Sequence, residues 1–273
     1  MSVLSFGQAL PLFFMVFILG AVIGSFLNVC IYRIPEGLSV VSPRSRCPHC
    51  GTAIKWYHNL PILSWVLLRG KCAYCGTGFS VRYPLVEALN GFLFVLFFYR
   101  FAFHPVTPVI WLLAATLVVI SFIDLDHQII PDVISLPGVV VGFACSFLVP
   151  WITWQESLLG ILLGGGSLLL IALVYECVTR KEGMGFGDVK LLAMLGAFLG
   201  WPAIFPFIFF GSVLGTCVGV PLMLFNTADS KLALPFGPFL SVAALCHVFF
   251  VDKLDPLMRW YAELLTYFLQ NIW

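Results

Sequence analysis

Charged side chains are scarce in this sequence: they make up 10% of 273 residues, against roughly 25% in soluble domains. That scarcity excludes an ordinary water-soluble globular domain. Neither sign is in excess, with Lys+Arg 14 and Asp+Glu 13, and no basic face or arm stands out. Nucleic acid is therefore not expected as a partner, because nothing gathers the charge that phosphates require. A basic n-region is also missing ahead of the first apolar run, where the first positive residue is Arg33. That run is expected to stay as a membrane helix, since a cleaved signal peptide would carry such a region. No low-complexity region, convincing internal repeat or long linker breaks the chain. Nor is there a glycine-rich nucleotide loop following a strand, or room for a separate Rossmann-type domain.

What the chain has in abundance is apolar surface, with 61% hydrophobic residues and 27 Phe. Runs long enough to cross a bilayer, or nearly so, occupy 10–32, 84–103, 108–124, 132–150, 157–178, 188–200, 203–225 and 235–251. These predict an all-α polytopic membrane protein of about eight transmembrane helices, with lipid as its solvent and partner. The sixth and eighth are short. Arg33, Arg44, Arg46, Lys55, Arg69, Lys71 and Arg82 fall between the first two runs. With eight alternating spans, Arg180, Lys181, Lys190 and Lys231 share their side, while Arg100, Lys253 and Arg259 lie opposite. The positive-inside rule then puts the N-terminus outside and the segment between spans one and two in the cytoplasm.

The chain divides into a first membrane helix (1–33), a cytoplasmic insert (34–83), the remaining helices (84–251) and a tail (252–273) that could lie as an amphipathic helix in the outer interface. About fifty residues make a meagre core, so the insert needs a staple. "CPHCG" and "CAYCG" provide Cys47, Cys50, Cys72 and Cys75: two C-x2-C pairs with 21 residues between them. Two such knuckles present four thiolates tetrahedrally, and a following glycine (Gly51, Gly76) allows the tight turn around sulfur. A structural Zn2+ is favoured over two disulfides, given a reducing cytoplasm. Four cysteines fill the coordination sphere and leave no place for a catalytic water. The other five, Cys30, Cys145, Cys177, Cys217 and Cys246, read as small buried apolar residues. Glycines four apart (Gly20/Gly24, Gly196/Gly200, Gly211/Gly215/Gly219) read as helix packing.

Two loops bring acidic residues against spans on the expected cytoplasmic side: "SFIDLDHQIIPD", with Asp124, Asp126 and Asp132, and "GMGFGD", with Asp188. Ionisable groups in a membrane segment cost roughly 2.5–3.5 kcal/mol, so they need a reason. Asp126 and Asp132 suit solvation or helix capping, and Asp188 could also cap a helix. Asp124, at the end of "WLLAATLVVISFI", is the deepest. For Asp188 the run Gly183, Gly185, Gly187 argues for a site, because a cap needs no such run whereas an extended peptide approaching backbone does. Two aspartates from different spans form a simple peptide-hydrolysing device. At about 4 Å and an effective dielectric near 20 they repel by about 4 kcal/mol, so one proton is shared between them. A proton-coupled transporter would also bury two carboxylates, but it leaves the glycine run unexplained and shows no inverted repeat here.

"IDLDHQIIPD" followed by "GMGFGDVKL" resembles the signature pair of the bacterial type IV prepilin peptidases, GxGD-type aspartic proteases of the inner membrane. "GSFLNVCIYRIP", the two CxxC pairs around "IKWYHNLPILSW", "VRYPLVEALNG" and "PFGPFLSVA" resemble the same family in the same order, to about residue 250. The resemblance implies a bifunctional enzyme of the bacterial inner membrane, its zinc insert and active site facing the cytoplasm. Such an enzyme cuts the basic leader from type IV prepilins and pseudopilins after a glycine, then N-methylates the new terminal residue with S-adenosylmethionine. Carried over by position, the catalytic aspartates are Asp124 and Asp188, the latter in the element Gly185-Phe186-Gly187-Asp188. Methyl transfer rests on the resemblance alone. Glu87, at the start of span two, is a candidate polar contact for it, the alternative being an interfacial glutamate paired with Arg82 or solvent.

Overall fold

The structure is a computed structural model that describes residues 6–150, 152–180, 185–225, 234–254 and 256. Each apolar run forms a helix, and among the described residues there is no named strand. In chain order the helices are α1 (Phe6–Arg33), α2 (Leu63–Leu67, inside the insert), α3 (Arg82–Phe101), α4 (Thr107–His127) and α5 (Asp132–Cys145), then α6 (Trp154–Thr179), α7 (Phe186–Leu199), α8 (Ile204–Phe225) and α9 (Gly237–Phe249). Five are long and apolar enough to cross a membrane: α1, α3, α4, α6 and α8 with the short turn before it. The other three membrane helices, α5, α7 and α9, have 14, 14 and 13 residues. At 1.5 Å per residue that is about 20 Å, short of the roughly 30 Å hydrocarbon layer.

The chain forms two compact units, Met1–Ile123 and Asp124–Trp273. In the first, α1 and α3 lie backbone to backbone. A methyl group on Gly20 would fall 2.8 Å from Gly91 Cα, and one on Gly24 would fall 2.8 Å from Glu87 Cα. This is the close approach that small residues permit in lipid. Asn90 locks the crossing by donating to the Gly20 carbonyl at 2.7 Å. Trp111 of α4 stacks on Phe94 at 4.7 Å and donates to its carbonyl at 3.0 Å.

The second unit is built around α7, whose Leu191, Leu192, Met194, Leu195 and Ala197 have no exposed surface. Helices α5, α6 and α9 all pack on it. α6 begins in a capping box, where Thr153 accepts from the Glu156 N–H and the Glu156 carboxylate accepts from the Thr153 N–H. It crosses α7 where Gly160 meets Gly196, and Ser157 donates to the Ala197 carbonyl at 2.7 Å. The helix that carries Asp188 is thus packed against three others, with its middle fully buried.

Some expectations need correction. Only Cys30 of the five scattered cysteines is buried; Cys177, Cys217 and Cys246 lie on the protein surface and Cys145 is partly covered. They cannot all be core residues. Asp132 does not cap α5, whose N-cap position is Pro131; it pairs with Lys190 of α7, tying the two helix starts together. Asp126 is exposed, as a solvated residue should be. Gly183 and the interfacial helix expected of the tail beyond residue 256 lie outside the described residues.

Candidate active site

α4 ends where Gln128 turns to φ 54° and its N–H caps the Asp124 carbonyl at 2.9 Å. Asp124 therefore sits in the last turn of the helix, 5% exposed. Its Oδ2 accepts the backbone N–H of Gly237, the first residue of α9, at 2.9 Å. Asp188 is the third residue of α7, partly buried, and the N-cap position belongs to Gly185 with no side-chain cap bond. Asp188 is therefore not the helix cap. Its first-turn position puts the carboxylate in the favourable end of the α7 dipole. Gly237, which holds Asp124, and Gly187, the residue before Asp188, lie against the same isoleucine, Ile130.

Ile130 holds these segments together. A methyl on Gly187 would lie 2.9 Å from Ile130 Cβ, and one on Gly237 would lie 3.5 Å from Ile130 Cδ1. The loop after α4 thus wedges one buried isoleucine between the start of α7 and the start of α9. Gly187 is small because of Ile130, a reason different from admission of a substrate. Gly185 fits the substrate argument better, since a methyl there meets nothing closer than 4.0 Å. Gly187→Ala is expected to cost about 1–3 kcal/mol through overpacking, whereas Gly185→Ala should leave stability nearly unchanged. Thermal unfolding of the two variants in the same detergent checks this; equal shifts would contradict the wedge.

The first unit carries a different constellation. The four sulfur atoms of Cys47, Cys50, Cys72 and Cys75 lie within 4.8 Å of one another, and Cys47 and Cys75 are 3.8 Å apart. A tetrahedral ion with bonds of about 2.3 Å has edges of about 3.8 Å, so the set fits zinc. All four are free thiols, without a disulfide. The two knuckles repeat the same hydrogen bonds. Cys47 N–H donates to Thr52 O at 3.0 Å and Gly51 N–H to Cys47 O at 2.9 Å; Cys72 N–H donates to Thr77 O at 2.8 Å and Gly76 N–H to Cys72 O at 3.0 Å. Gly51 and Gly76 take φ 67° and 72°, the left-handed region that favours glycine. The Thr52 and Thr77 hydroxyls, 3.3 Å from sulfur, hold the Cys50 and Cys75 thiols below their ordinary range. The insert thus contains a local two-fold repeat, C-x-x-C-G-T, too short to register in a search for longer periods.

Between the insert, α1 and the start of α3 lies a cavity of about 520 Å³. Glu87 lines it, 8% exposed, and its Oε2 accepts the Ile62 N–H at 2.7 Å. It is therefore no solvent-facing interfacial residue. Ile62 holds φ 60°, ψ −51°, an unfavourable conformation for a β-branched residue that persists only where its surroundings enforce it. Asn28, which donates to the Tyr83 carbonyl at 3.1 Å, and His58, whose Nδ1 is buried without a hydrogen-bond partner among the described residues, line the same cavity. Arg33 and Lys71 add positive charge to its wall. An acidic group, an orphaned imidazole nitrogen, aromatic surface and cations around one half-open cavity suit a small zwitterionic ligand with a heterocycle.

Among known families, the Bacterial Peptidase A24 N-terminal domain matches residues 18–101 and the Type IV leader peptidase family matches residues 111–220. The chain is 44% identical over 220 residues to a prepilin leader peptidase/N-methyltransferase of Myxococcus xanthus, covering 80% of this chain and 65% of that one. It is 35% identical to a protein of the same name from Pseudomonas putida, over 87% of this chain and 90% of that one. A Neisseria gonorrhoeae protein of that name is 36% identical over 83% of this chain and 86% of its own length. No solved structure matches.

Proposed function

Because the chain belongs to the type IV leader peptidase family, we propose that it is a membrane-embedded aspartic endopeptidase that removes the leader from type IV prepilins and pseudopilins and N-methylates the residue so exposed. The observation that supports this reading is the shared neighbourhood of the two aspartates: buried Ile130 lies against Gly187, next to Asp188 in sequence, and against Gly237, whose N–H holds Asp124. Two carboxyl groups that act on each other hold one proton between them. The ionised one takes a proton from water as its oxygen adds to the scissile carbonyl. The protonated one donates to the carbonyl oxygen, and collapse of the tetrahedral adduct expels the amine, which leaves with a proton. One water is consumed and the pair is restored.

The helices that begin at this site, α5, α7 and α9, are the three too short to cross the bilayer. If their far ends reach the opposite face, their starts lie beneath the surface, where a leader junction next to an apolar segment would arrive. The charge distribution favours the cytoplasmic face of the inner membrane for the aspartates and the insert.

We assign methyl transfer to the first unit. S-Adenosylmethionine would supply an electrophilic methyl group there. Glu87 offers negative charge toward a sulfonium, the aromatic lining offers a stacking surface, and Arg33 or Lys71 can face a carboxylate. Zn2+ on the four cysteines holds the insert's fold and takes no chemical part. Glu87→Gln preserves the acceptor for Ile62 but removes the charge. It is expected to lower kcat/KM for methylation of a pre-cleaved pilin about tenfold or more, about 1.4 kcal/mol, with leader cleavage unchanged. Equal loss of both activities would contradict the assignment.

Incubation of the purified enzyme with a leader-bearing prepilin, with and without S-adenosylmethionine, tests the reading as a whole. Mass spectrometry should find the leader removed in both cases and one methyl group added only with the donor. An intact prepilin in both would refute it.

A further inference from the structure

We infer that Gly237 is a positioning residue for the peptidase, acting through its backbone N–H on Asp124; this rests on the reading of Asp124 as a catalytic group. An N–H can only donate, so the oxygen it meets, Asp124 Oδ2, is held without a proton and in one orientation. The remaining oxygen, Oδ1, is the one left to address water or the partner carboxyl. The bond links residues 113 positions apart and is buried, so water does not compete for it.

The residue type follows from the geometry. A Cβ at position 237 would lie 2.7 Å from Asp124 Oδ2 and 3.3 Å from Asp124 Cγ, the first of them closer than real Cβ atoms come to any neighbour. Any side chain there either rotates the carboxylate or pushes the start of α9 away from it. φ at this position is not in the left-handed region, so conformational freedom is not the reason for glycine. Pro238 follows in the first turn of α9; its ring restricts the backbone angles open to Gly237 before it and so stiffens the helix start that carries the Gly237 N–H. Gly237, Gly187 and Ile130 therefore act together: the isoleucine spaces the two helix starts, and the two glycines let one present an N–H and the other a carboxyl to the same place.

The test is steady-state kinetics of leader cleavage by the full-length enzyme. Gly237→Ala is expected to lower kcat about 10²-fold, the scale of a roughly 1 Å misplacement of a catalytic group. KM for prepilin should stay near wild type, and methylation of a pre-cleaved pilin should be unaffected. Gly215→Ala on α8, where a methyl would meet Phe239 at an ordinary 3.5 Å, controls for altered packing of α9 and should cleave normally. If Gly237→Ala does not fold, Pro238→Ala carries the test. It loosens the first turn of α9 without adding atoms beside Asp124, and it too should lower kcat at constant KM. Wild-type kcat in the decisive variant, a rise in KM alone, or an equal loss in Gly215→Ala would overturn the inference. Normal cleavage by Asp124→Asn would instead overturn the underlying reading, and that outcome is separable because it leaves no catalytic carboxyl for Gly237 to position.

Discussion

Replacing either Asp124 or Asp188 with asparagine is expected to abolish leader cleavage, by a factor on the order of 10⁴ or more, while protein abundance and zinc content stay normal. The amide keeps the size and most of the packing, so the loss isolates the charge. In Asp124→Asn the side-chain carbonyl could still accept the Gly237 N–H, but it could not take a proton from water. In Asp188→Asn the amide could not exchange the shared proton. If the two aspartates act as one unit, as proposed, the double replacement should be no slower than either single one, whereas independent roles would multiply. Asp132→Asn should behave differently. It breaks only an exposed pair with Lys190, typically about 0.2–1 kcal/mol, and cleavage should remain. Rates of the four variants on one prepilin settle the matter, and a compounding double variant would contradict the shared-proton unit.

Removal of zinc should have the next largest effect. About one zinc per chain is expected on Cys47, Cys50, Cys72 and Cys75, contributing on the order of 10 kcal/mol to the folding of the insert. Too little apolar surface surrounds those knuckles to replace it. Cys47→Ser or Cys72→Ser, whose thiols are the buried members of the set, should release the metal and unfold the segment. Methyl transfer should then fall below detection, since the insert walls the cavity that Glu87 lines. Acid should act in the same direction, because thiolates must be deprotonated to bind. Elemental analysis against methylation rate over a chelator series checks the coupling. Full methylation by a metal-free protein would contradict it.

Several features of this molecule are legible from residue types alone. Each apolar run forms a helix, with ends such as 203–225 and Ile204–Phe225 nearly coincident, because lipid leaves the backbone no alternative partner. The cysteine spacing announces four converging sulfurs for a similar reason: few other uses exist for two C-x2-C-G turns. Asp124 and Asp188 stand out as candidates because charge is so scarce in this chain. What stays hidden depends on backbone atoms or on distant neighbours. The Gly237 N–H reaches Asp124 across 113 residues and leaves no trace in residue type beyond a glycine before a proline. Ile130 reads as one more apolar residue in "HQIIPD", although its placement explains Gly187. The run of α5 is shorter than its hydropathy suggests, Asp132–Cys145 against 132–150, since residues after a helix in an apolar turn look as hydrophobic as those within it. Asp132 reads as solvated or capping from sequence because its partner, Lys190, is 58 residues away.

The separation of two chemistries on one chain is the central claim, and the N-terminal mass of pilin treated with Asp188→Asn enzyme and S-adenosylmethionine tests it most directly. Given leader-bearing prepilin, the variant should return it uncut and unmethylated. Given pilin already trimmed, it should return it heavier by one methyl group. A trimmed product from the leader-bearing substrate, formed by a well-folded variant at the wild-type rate, would contradict the account and return Asp188 to the role of a helix-end charge.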